Sequence, residues 1–461
     1  MPSFDPPFRP TDTALSELRH QVAGTLHTPA SENWHVARMP WLVNIDQHPL
    51  AVLEVAGRDD IVTAVRWALA HGVRIAVQPN GHAAGHDVAE ALVLRTGAMD
   101  DIDLDVDNRT VRVGAGVNSG KLSAALAGTG LAFLVGSNPH PSVVGLTLTG
   151  GLSWFGRAFG FGCDSIIGAE MIDGAGEVRQ VSATHDPELF WALRGGGGDF
   201  GVIVSLELAL HPAPSIYGGR LFWPAAQMGE VMRAFRRVCE SAPETFTVWY
   251  HTMQFPPLPE VPEPFRGQSF AVIALAHLGE RAEAEKILAP LRAVPGLALD
   301  LLGEVGVEAV ADLADEPTDP MPALMRSTVI YDLDDATIDR LVAGYGPDAG
   351  SPLAMLQVRQ LGGALGRPAA QPSAHGPVDG AYSIQGLGMP VVPELVEPIF
   401  ASLQGVLEAV EPHSTGRTFM NFLEHDQVNG WWDEPTRARL QAVKRATDPY
   451  AVFVSNRPVN L

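Results

Sequence analysis

A histidine lies within a loop of small residues at positions 78–86, where the sequence reads QPNGHAAGH. The small residues Gly81, Ala83 and Gly85 let backbone N–H groups approach an anion closely, as a diphosphate requires. His82, embedded in such a loop, would lie near the phosphates and the ring system of a bound cofactor. The loop alone is equally compatible with a solvent-exposed turn whose histidines have no role.

Two further segments, residues 136–164 and 194–201, are also rich in glycine. The first is apolar and lacks the polar turn residues of a linker. The first segment has neither the G-x-G-x-x-G nor the G-K-[ST] spacing, which excludes a Rossmann or a Walker site there. Each glycine costs backbone entropy on folding. Three such turns in one domain therefore indicate close approach to a large flat ligand more than a requirement of folding.

The elements that must position these loops alternate between short apolar runs and helical stretches. Strands are predicted at 50–54, 74–78, 92–95, 110–113 and 202–208, and helices at 59–71 and 119–128. This alternation predicts an α+β domain with parallel elements.

The character of the sequence changes after Pro212. An aromatic strand is predicted at 246–255, and the proline-dense run after it cannot be a helix interior. Further strands are predicted at 269–276, 324–333 and 354–360, and further helices at 280–291, 336–343 and 435–446. Strands separated by helices at this spacing predict an open sheet with helices on one face.

Composition limits the possible functions of the 461 residues, of which 46% are hydrophobic and 18% charged. The net charge of −22 disfavours nucleic acid binding, which needs clustered Lys and Arg. Two cysteines, Cys163 and Cys239, make neither a disulfide framework nor a thiolate zinc site. The polar N-terminus and the absence of a bilayer-length apolar run predict a soluble, cytoplasmic protein without a membrane partner.

Several segments together resemble the FAD-linked oxidases of the berberine bridge enzyme-like group, within the vanillyl-alcohol oxidase superfamily. The segments are VQPNGH (77–82), RTVRVGAGVNSGKL (109–122), GLTLTGGLSWFGRAFGFGCD (145–164), FWALRGGGGDFGVIVSLEL (190–208), QLGGALGR (360–367), PHSTGRTFMNFL (412–423) and LQAVKRATDPYAVF (440–453). Each alone is weak, but jointly they are specific, and they extend over essentially the whole chain.

The resemblance implies an FAD-binding domain of the PCMH type at 1–212 and a substrate domain at 213–414. The latter would be an antiparallel sheet covered by helices, and residues 415–461 would return to the FAD domain. It implies an oxidase that takes hydride from an alcohol, polyketide or amine-type small molecule of secondary metabolism and passes the electrons to O₂, giving H₂O₂. The expected assembly is a monomer or homodimer.

The resemblance also implies how FAD is held. His82 occupies the position that in the family is bonded to the 8α-methyl of the isoalloxazine. The position of the second, cysteinyl bond is Asn138 here, so attachment through histidine alone is expected, and Cys163 is expected to be a small packed residue. The cofactor-binding residues are predicted to be Pro79, Asn80, Gly81, His82, Ala83, Gly85, His86, Gly136, Ser142, Gly145, Leu146, Thr149, Gly150, Gly151, Asp164, Gly201, Val202 and Asn456.

The chain departs from the family where relatives keep a catalytic base. Phe419 stands in place of a tyrosine in the Tyr-x-Asn segment that here contains Asn421, and Ala364 stands in place of a glutamate. Pro79 removes one N–H from the loop of His82. The glutamine–asparagine pair usual near the C-terminus is replaced around Asn456, which is expected to keep a flavin contact.

Four residues are candidates for the chemistry of the substrate. His251 has an ordinary pKa near 6.5 that suits a base, or else it is a strand histidine facing solvent. Gln357 and Arg359, two apart on a strand, point to one face. Arg359 would anchor an anionic or phenolate substrate, or form a structural ion pair. Asn421 is the fourth.

No metal site is expected, because the adjacent Glu424, His425 and Asp426 point in different directions. The missing bases leave a second possibility, a flavin-bearing cyclase or lyase without net redox. A third is a non-enzymatic flavin-binding protein, for which a pocket without converging polar groups is expected.

Overall fold

The computed structural model of the chain describes residues 11–85, 88–255, 259, 263, 265–422 and 431–459. Its helices are α1 Asp12–Gln21, α2 Trp34–Arg38, α3 Arg58–His71, α4 Ser119–Ala125, α5 Val143–Leu148, α6 Gly156–Phe159, α7 Pro187–Leu193, α8 Met228–Ser241, α9 Arg281–Ile287, α10 Ala289–Arg292, α11 Asp335–Tyr345, α12 Val396–Val410 and α13 Glu434–Thr447.

Its strands, in chain order, are β1 Thr25–His27, β2 Ala51–Glu54, β3 Ile75–Val77, β4 Leu92–Arg95, β5 Ile102–Asp105, β6 Thr110–Gly114, β7 Leu131–Ala132, β8 Ile166–Ile172, β9 Val178–Ser182, β10 Val202–Ala209, β11 His211–Pro212, β12 Ile216–Pro224, β13 Phe246–Gln254, β14 Ser269–Leu278, β15 Leu299–Asp300, β16 Gly303–Glu304, β17 Leu324–Ile330, β18 Met355–Gln360, β19 Tyr382–Gly388 and β20 Phe453–Val454.

The first sheet is mostly parallel, with the order β1-β2-β4-β3-β20. Helix α3 connects β2 to β3 and buries Ile61, Ala64, Val65 and Ala68, which recur at helical spacing. The last strand, β20, pairs with β3, so the C-terminal segment lies beside the loop that follows β3. This pairing brings the end of the chain to the loop of His82.

The second sheet is antiparallel, with the order β5-β6-β10-β8-β9. Helix α5 lies within the glycine-rich segment 136–164, and Val143, Val144 and Leu148 anchor it in the apolar core. The two glycine-rich segments, residues 136–164 and 194–201, therefore belong to connections around this sheet.

The third sheet is antiparallel, with the order β15-β12-β14-β13-β18-β19-β17. Helices α8, α11 and α12 cover one face through a core that includes Val231, Phe235 and Leu403. The opposite face approaches the second sheet's connections, where Trp249 stacks on Trp154 with ring centroids 3.4 Å apart. The predicted α+β class, with parallel elements first and a helix-covered antiparallel sheet later, is confirmed.

One predicted helix is wrong in its extent. The helix expected at 280–291 is two short helices, α9 and α10, joined at Leu288. Pro290 lies in the first turn of α10, where its missing N–H is tolerated, whereas inside a continuous helix it would remove a hydrogen bond. Among the described residues, no helix combines the length and the apolar character needed to cross a bilayer.

Candidate active site

The loop after β3 is held in place from both sides. Asn80 accepts a hydrogen bond from the backbone N–H of Trp41 at 3.0 Å and donates through Nδ2 to the His140 carbonyl at 2.7 Å. Gly81 has a φ of +78°, and a Cβ there would lie 2.7 Å from Pro40 Cβ. Pro79, which donates no N–H, precedes this pinned segment.

The ring of His82 lies between the rings of Trp41 and His140. Its Nε2 lies 2.7 Å from Nδ1 of His140, and its ring stacks on Trp41 with centroids 4.1 Å apart. Burial, with the nearby charge of His140, lowers the pKa of His82 to about 3. The imidazole is therefore neutral at physiological pH.

The backbone of this loop presents donors that the protein leaves unused. Within the part of the chain that the structure describes, the N–H groups of Gly81, His82 and Ala83 donate to no protein acceptor. Asn456 donates through Nδ2 to the Ala83 carbonyl, and a Cβ on Gly85 would come no closer than 3.4 Å to Asn456. Successive unused N–H groups make an anion-binding concavity. His86 lies outside the described residues.

The second glycine-rich segment is shaped around α5. Ser142 caps the helix by accepting the N–H of Gly145 at 3.3 Å. A Cβ on Gly145 would meet only Ser142 Cβ at 3.9 Å, and one on Gly136 would meet only the Leu146 side chain at 3.6 Å. A Cβ at either glycine would therefore make only ordinary van der Waals contacts within the protein.

Asn421 joins the C-terminal segment to the same glycines. Its Nδ2 donates to Thr149 Oγ1 at 2.6 Å, and its Oδ1 accepts the N–H of Gly151 at 3.1 Å. Gly150 between them packs against His375, whose Cδ2 would lie 2.6 Å from an added Cβ. Asn421 thus fixes the conformation of residues 149–151.

Other glycines of these segments serve packing against the protein itself. A Cβ on Gly201 would lie 2.3 Å from Met171 Cε, and one on Gly195 would lie 2.4 Å from His375 Cβ. Val202 is fully buried in β10, opposite Ile172. The expectation that folding needs do not explain these glycines is wrong at such positions, because close backbone packing requires them.

Cys163 and Asp164 end the glycine-rich segment 136–164, and the backbone N–H of Cys163 donates to the Gly150 carbonyl at 2.9 Å. Arg194 donates to the Cys163 carbonyl at 3.1 Å and to the Asp164 carbonyl at 3.0 Å, and Asp164 Oδ2 accepts the N–H of Phe161 at 3.1 Å. Burial raises the pKa of Asp164, and Cys163 is fully buried as expected of a packed residue.

On the third sheet, a row of polar side chains crosses neighbouring strands. The register pairs His251 of β13 with Gln357 of β18, and Gln357 with Gln385 of β19. Gln357 Nε2 lies 3.0 Å from His251 Nδ1, and Gln385 Nε2 donates to Gln357 Oε1. All three are buried, so the alternative that His251 faces solvent is wrong.

Arg359 connects this row to the glycine-rich segment. Its Nε donates to Gln357 Oε1, and Nη2 donates to Ser137 Oγ at 3.2 Å and lies 3.5 Å from Glu316 Oε1. The guanidinium lies 4.0 Å from the ring centroid of Trp249. Burial lowers the pKa of Arg359 to about 10, so the group remains cationic at neutral pH.

The pKa of His251 is not the ordinary value assumed from its residue type. Burial first, and then the charges of Arg359 and Arg220, lower the pKa of His251 to about 3. At neutral pH the ring is neutral and a weak base, suited to accepting or donating a hydrogen bond more than to taking a substrate proton.

Three of the four substrate-site candidates are thus in one hydrogen-bonded cluster, and Asn421 is apart from it on the glycine-rich segment. Sequence reasoning missed Ser137, Glu316 and Gln385, which complete the cluster. Gln385 could have been found as a polar residue in the middle of the apolar run YSIQGLG. No group of three His, Cys, Asp or Glu side chains that could hold a metal ion occurs among the described residues, and 424–426 lie outside them.

The residues present fit an FAD. The loop after β3 offers unused N–H donors to a diphosphate, and no protein atom lies closer than 3.6 Å to where a Cβ of Gly136 or Gly145 would be, which lets a flat ring approach the backbone. A neutral histidine, His82, lies within the same loop.

Comparison with known proteins agrees with this fit. Residues 49–182 match the FAD binding domain family. The (R)-6-hydroxynicotine oxidase of Paenarthrobacter nicotinovorans is 33% identical over 183 residues, 38% of this chain and 39% of that protein. An FAD-linked oxidoreductase of Dictyostelium discoideum is 28% identical over 217 residues, 47% of this chain and 48% of that protein. The matched region thus spans less than half the length of these curated relatives.

Solved structures share the whole fold. BBE-like 1 of Physcomitrella patens superposes with a TM-score of 0.84 at 18% identity, covering 97% of this chain and 99% of that one. For 6-hydroxy-D-nicotine oxidase of Arthrobacter nicotinovorans the TM-score is 0.80 at 23% identity, covering 95% and 98%. For berberine bridge enzyme of Eschscholzia californica it is 0.81 at 16% identity, covering 97% and 98%.

Proposed function

We propose that this chain, which carries an FAD-binding domain and has the fold of the berberine bridge enzyme-like FAD-linked oxidases, is an FAD-dependent oxidase. Its substrate is an alcohol, polyketide or amine-type small molecule of secondary metabolism. The observation that carries the proposal is the cluster of His251, Gln357 and Arg359, which reaches the glycine-rich segment through Ser137. The chemistry that FAD supplies when bound is acceptance of a hydride and delivery of the electrons to O₂ as H₂O₂.

The cluster would orient the substrate and control its charge. Arg359, a buried cation, would hold a substrate oxygen that carries negative charge. Gln357 is fixed between Arg359 and His251, so its side chain is already ordered before substrate binds. His251 would contribute a hydrogen bond from a neutral ring. Asn421 would act by holding residues 149–151.

FAD would be held as the resemblance implies. The covalent bond is to His82 alone, with Asn138, which donates to the Pro317 carbonyl at 2.8 Å, in place of a second attachment residue. Further cofactor contacts would come from the loops already described, at Pro79–Gly85 and Gly136–Gly151, and from Asp164 and Asn456, whereas Gly201 and Val202 pack within the protein.

The chain would be organised as an FAD domain at 1–212, a substrate domain at 213–414 and a returning segment at 415–461. The pairing of β20 with β3 supports the return of the last segment. We propose a cytoplasmic location and a monomer or homodimer, with small molecules and O₂ as the partners.

The covalent bond is tested by denaturation. The purified protein should keep its yellow colour in acid, and its band should fluoresce on an SDS gel. His82→Ala should release all of its FAD under the same conditions, and His185→Ala, at an exposed position, should not. FAD released from the unchanged protein would contradict attachment at His82.

The oxidase activity is tested without knowing the natural substrate. Candidate probes are 6-hydroxynicotine, chosen from the similarity to the oxidase of that name, and 4-hydroxybenzyl alcohol. A reacting probe should bleach the 450 nm absorbance anaerobically, and admission of O₂ should restore it with release of H₂O₂.

A flavin-bearing cyclase or lyase is the second candidate, and a specific observation favours it. His251 is a weak base, and the buried Phe419 carries no hydroxyl group, so the site has few groups to take a substrate proton. Product formed without bleaching or O₂ uptake would indicate this function. The convergence of His251, Gln357 and Arg359 disfavours a protein that only binds flavin.

A further inference from the structure

Three rows of side chains cross the face of the third sheet that carries His251. Their members follow from the register of β13, β18, β19 and β17. The first row is Trp249, Arg359, Ser383 and Val329, the second is His251, Gln357, Gln385 and Ser327, and the third is Met253, Met355, Leu387 and Met325. Alternate residues of a strand share a face, so all three rows lie on one surface.

The third row differs from the other two in chemistry and exposure. The first two rows are buried, and most of their members are polar or charged, whereas the third row has no polar side chain and each of its four members is only half-buried. It continues onto β14 as Phe270, which packs with Met253 and Phe265. The third row and Phe270 therefore form an apolar strip, which leads from the first two rows, called here the polar rows, towards solvent.

The polar rows contain hydrogen-bonding groups that the protein does not use. Gln385 Oε1 and Ser383 Oγ are buried and have no partner among the described residues. Buried polar atoms are nearly always hydrogen-bonded, so such atoms beside a charged Arg359 point to a ligand that supplies the partner. The ligand end that lies here must therefore carry hydrogen-bonding groups.

We infer that the substrate is amphipathic, with one hydrogen-bonding, acidic end such as a phenol or enol on the polar rows and an apolar body along the methionine row. The inference rests on the proposed function and names the substrate class of that same site. A carbohydrate is disfavoured, because its hydroxyl groups would find no hydrogen-bonding side chains on Met253, Met355, Leu387 and Met325.

The geometry also sets the reach of the apolar body. Neighbouring rows are two residues apart along each strand, which corresponds to roughly 7 Å. The body must therefore extend at least that far from the reacting end. Methionine side chains are flexible and polarisable, so this row can accommodate bodies of different shapes.

The test measures binding rather than turnover. Phenol, 4-ethylphenol, 4-butylphenol and 4-hexylphenol are titrated into the purified protein, with cellobiose as the carbohydrate probe. Binding is followed by tryptophan fluorescence, because Trp249 and Trp154 stack beside the polar rows. Affinity should rise about fourfold per methylene that is buried, and cellobiose should not bind.

Substitutions at Met355 test whether the gain in affinity with alkyl chain length comes from the methionine row. Met355→Gln should reduce the gain from phenol to 4-hexylphenol by about tenfold or more, corresponding to roughly two methylenes, and leave phenol binding unchanged. Met355→Leu should retain the gain. The control is Leu301→Gln, which places the same side chain at an exposed position on the far edge of the sheet and should change nothing.

The outcomes separate this inference from the proposed function. Affinity that does not change with chain length, tight binding of cellobiose, or a gain that survives in Met355→Gln would each overturn the amphipathic substrate, even if the flavin bleaches with another probe. Purified protein that lacks FAD would overturn the proposed oxidase, while the fluorescence titration would still test the apolar row.

Discussion

The charge on Arg359 is the chemical feature that most distinguishes the polar cluster from an ordinary buried patch. The cation is paired with Glu316 at 3.5 Å and stacked on Trp249, yet its Nη2 also reaches Ser137 beside the glycine-rich segment. A buried cation that Gln357 already holds in place can stabilise a substrate oxyanion without first reorganising.

Arg359→Met is expected to weaken binding of 4-nitrophenolate about 10- to 100-fold, since a charge-assisted hydrogen bond contributes about 1.5–3 kcal/mol. The titration follows the absorbance of the anion. Arg359→Lys, which keeps the charge, should recover part of the affinity, and Arg367→Gln, in an exposed pair with Glu244, should bind as the unchanged protein does. Equal affinities in the first two variants would show that the charge has no role.

Opposite effects are predicted for alanine substitutions at two glycines of the glycine-rich segment 136–164. Gly145→Ala, within α5, is expected to leave the melting temperature unchanged and reduce FAD content, because the new Cβ meets only Ser142 Cβ, at 3.9 Å, and would project into the space proposed for FAD. Gly150→Ala is expected to destabilise the fold by about 1–3 kcal/mol, because φ is +114° and the Cβ would lie 2.6 Å from His375. The ratio of absorbance at 450 and 280 nm and thermal melting distinguish them. Full FAD content in Gly145→Ala would place the cofactor elsewhere.

At the scale of elements, helix α13 fastens the end of the chain to the FAD-binding half. Lys444 Nζ donates to Asp448 Oδ2 at 2.8 Å, to Asp199 Oδ1 at 3.2 Å and to the Phe453 carbonyl at 3.1 Å. All of these groups are buried, and Asp448 also accepts the N–H of Val452. The helix, the third glycine-rich turn and β20 therefore share one charged centre.

Lys444→Met is expected to lower the free energy of unfolding by about 3–5 kcal/mol, because Asp199 and Asp448 would be buried without their cation. Arg66→Gln removes an exposed partner of Glu177 and should cost no more than about 1 kcal/mol. Urea unfolding followed by fluorescence compares the two. Similar midpoints would mean that solvent reaches the Lys444 centre.

Sequence predicted elements well where local pattern and packing agree. The strand expected at 92–95 is β4, and the helix expected at 59–71 begins one residue earlier. Helix α12 was not predicted, since it contains Pro398 and Gly405. Packing of its apolar face against the third sheet outweighs these poor helix formers.

Strand periodicity predicted only the part of the candidate site whose residues share one strand. Gln357 and Arg359 were placed on one face because they are two residues apart, and they are hydrogen-bonded. Ser137 lies 222 positions from Arg359 in the chain, and no local pattern connects them. The burial of His251, which sets its pKa, depends on what covers the sheet, which the strand sequence does not contain.

Across the whole molecule, burial of neutral histidines links stability to pH. Burial lowers the pKa of His251 to about 3 and those of His211 and His375 to about 4. In the unfolded chain each would titrate near 6.5. Between these values the unfolded state binds more protons than the folded one, so acidification favours unfolding.

Stability is therefore expected to be full above about pH 6.5 and to fall as the pH drops towards 4, by up to about 1.4 kcal/mol per pH unit for each histidine. Urea midpoints between pH 7.5 and 4.5 measure this slope.

His211→Asn should make the slope shallower by one proton, because Asn does not titrate and can still bond Ser165, whose Oγ lies 2.8 Å from His211 Nε2. His185→Asn, at an exposed position, is the control and should leave the slope unchanged. A urea midpoint that does not change between pH 7.5 and 5 would mean that the buried histidines take up protons while the protein stays folded. Water would then reach the sheet face that carries His251.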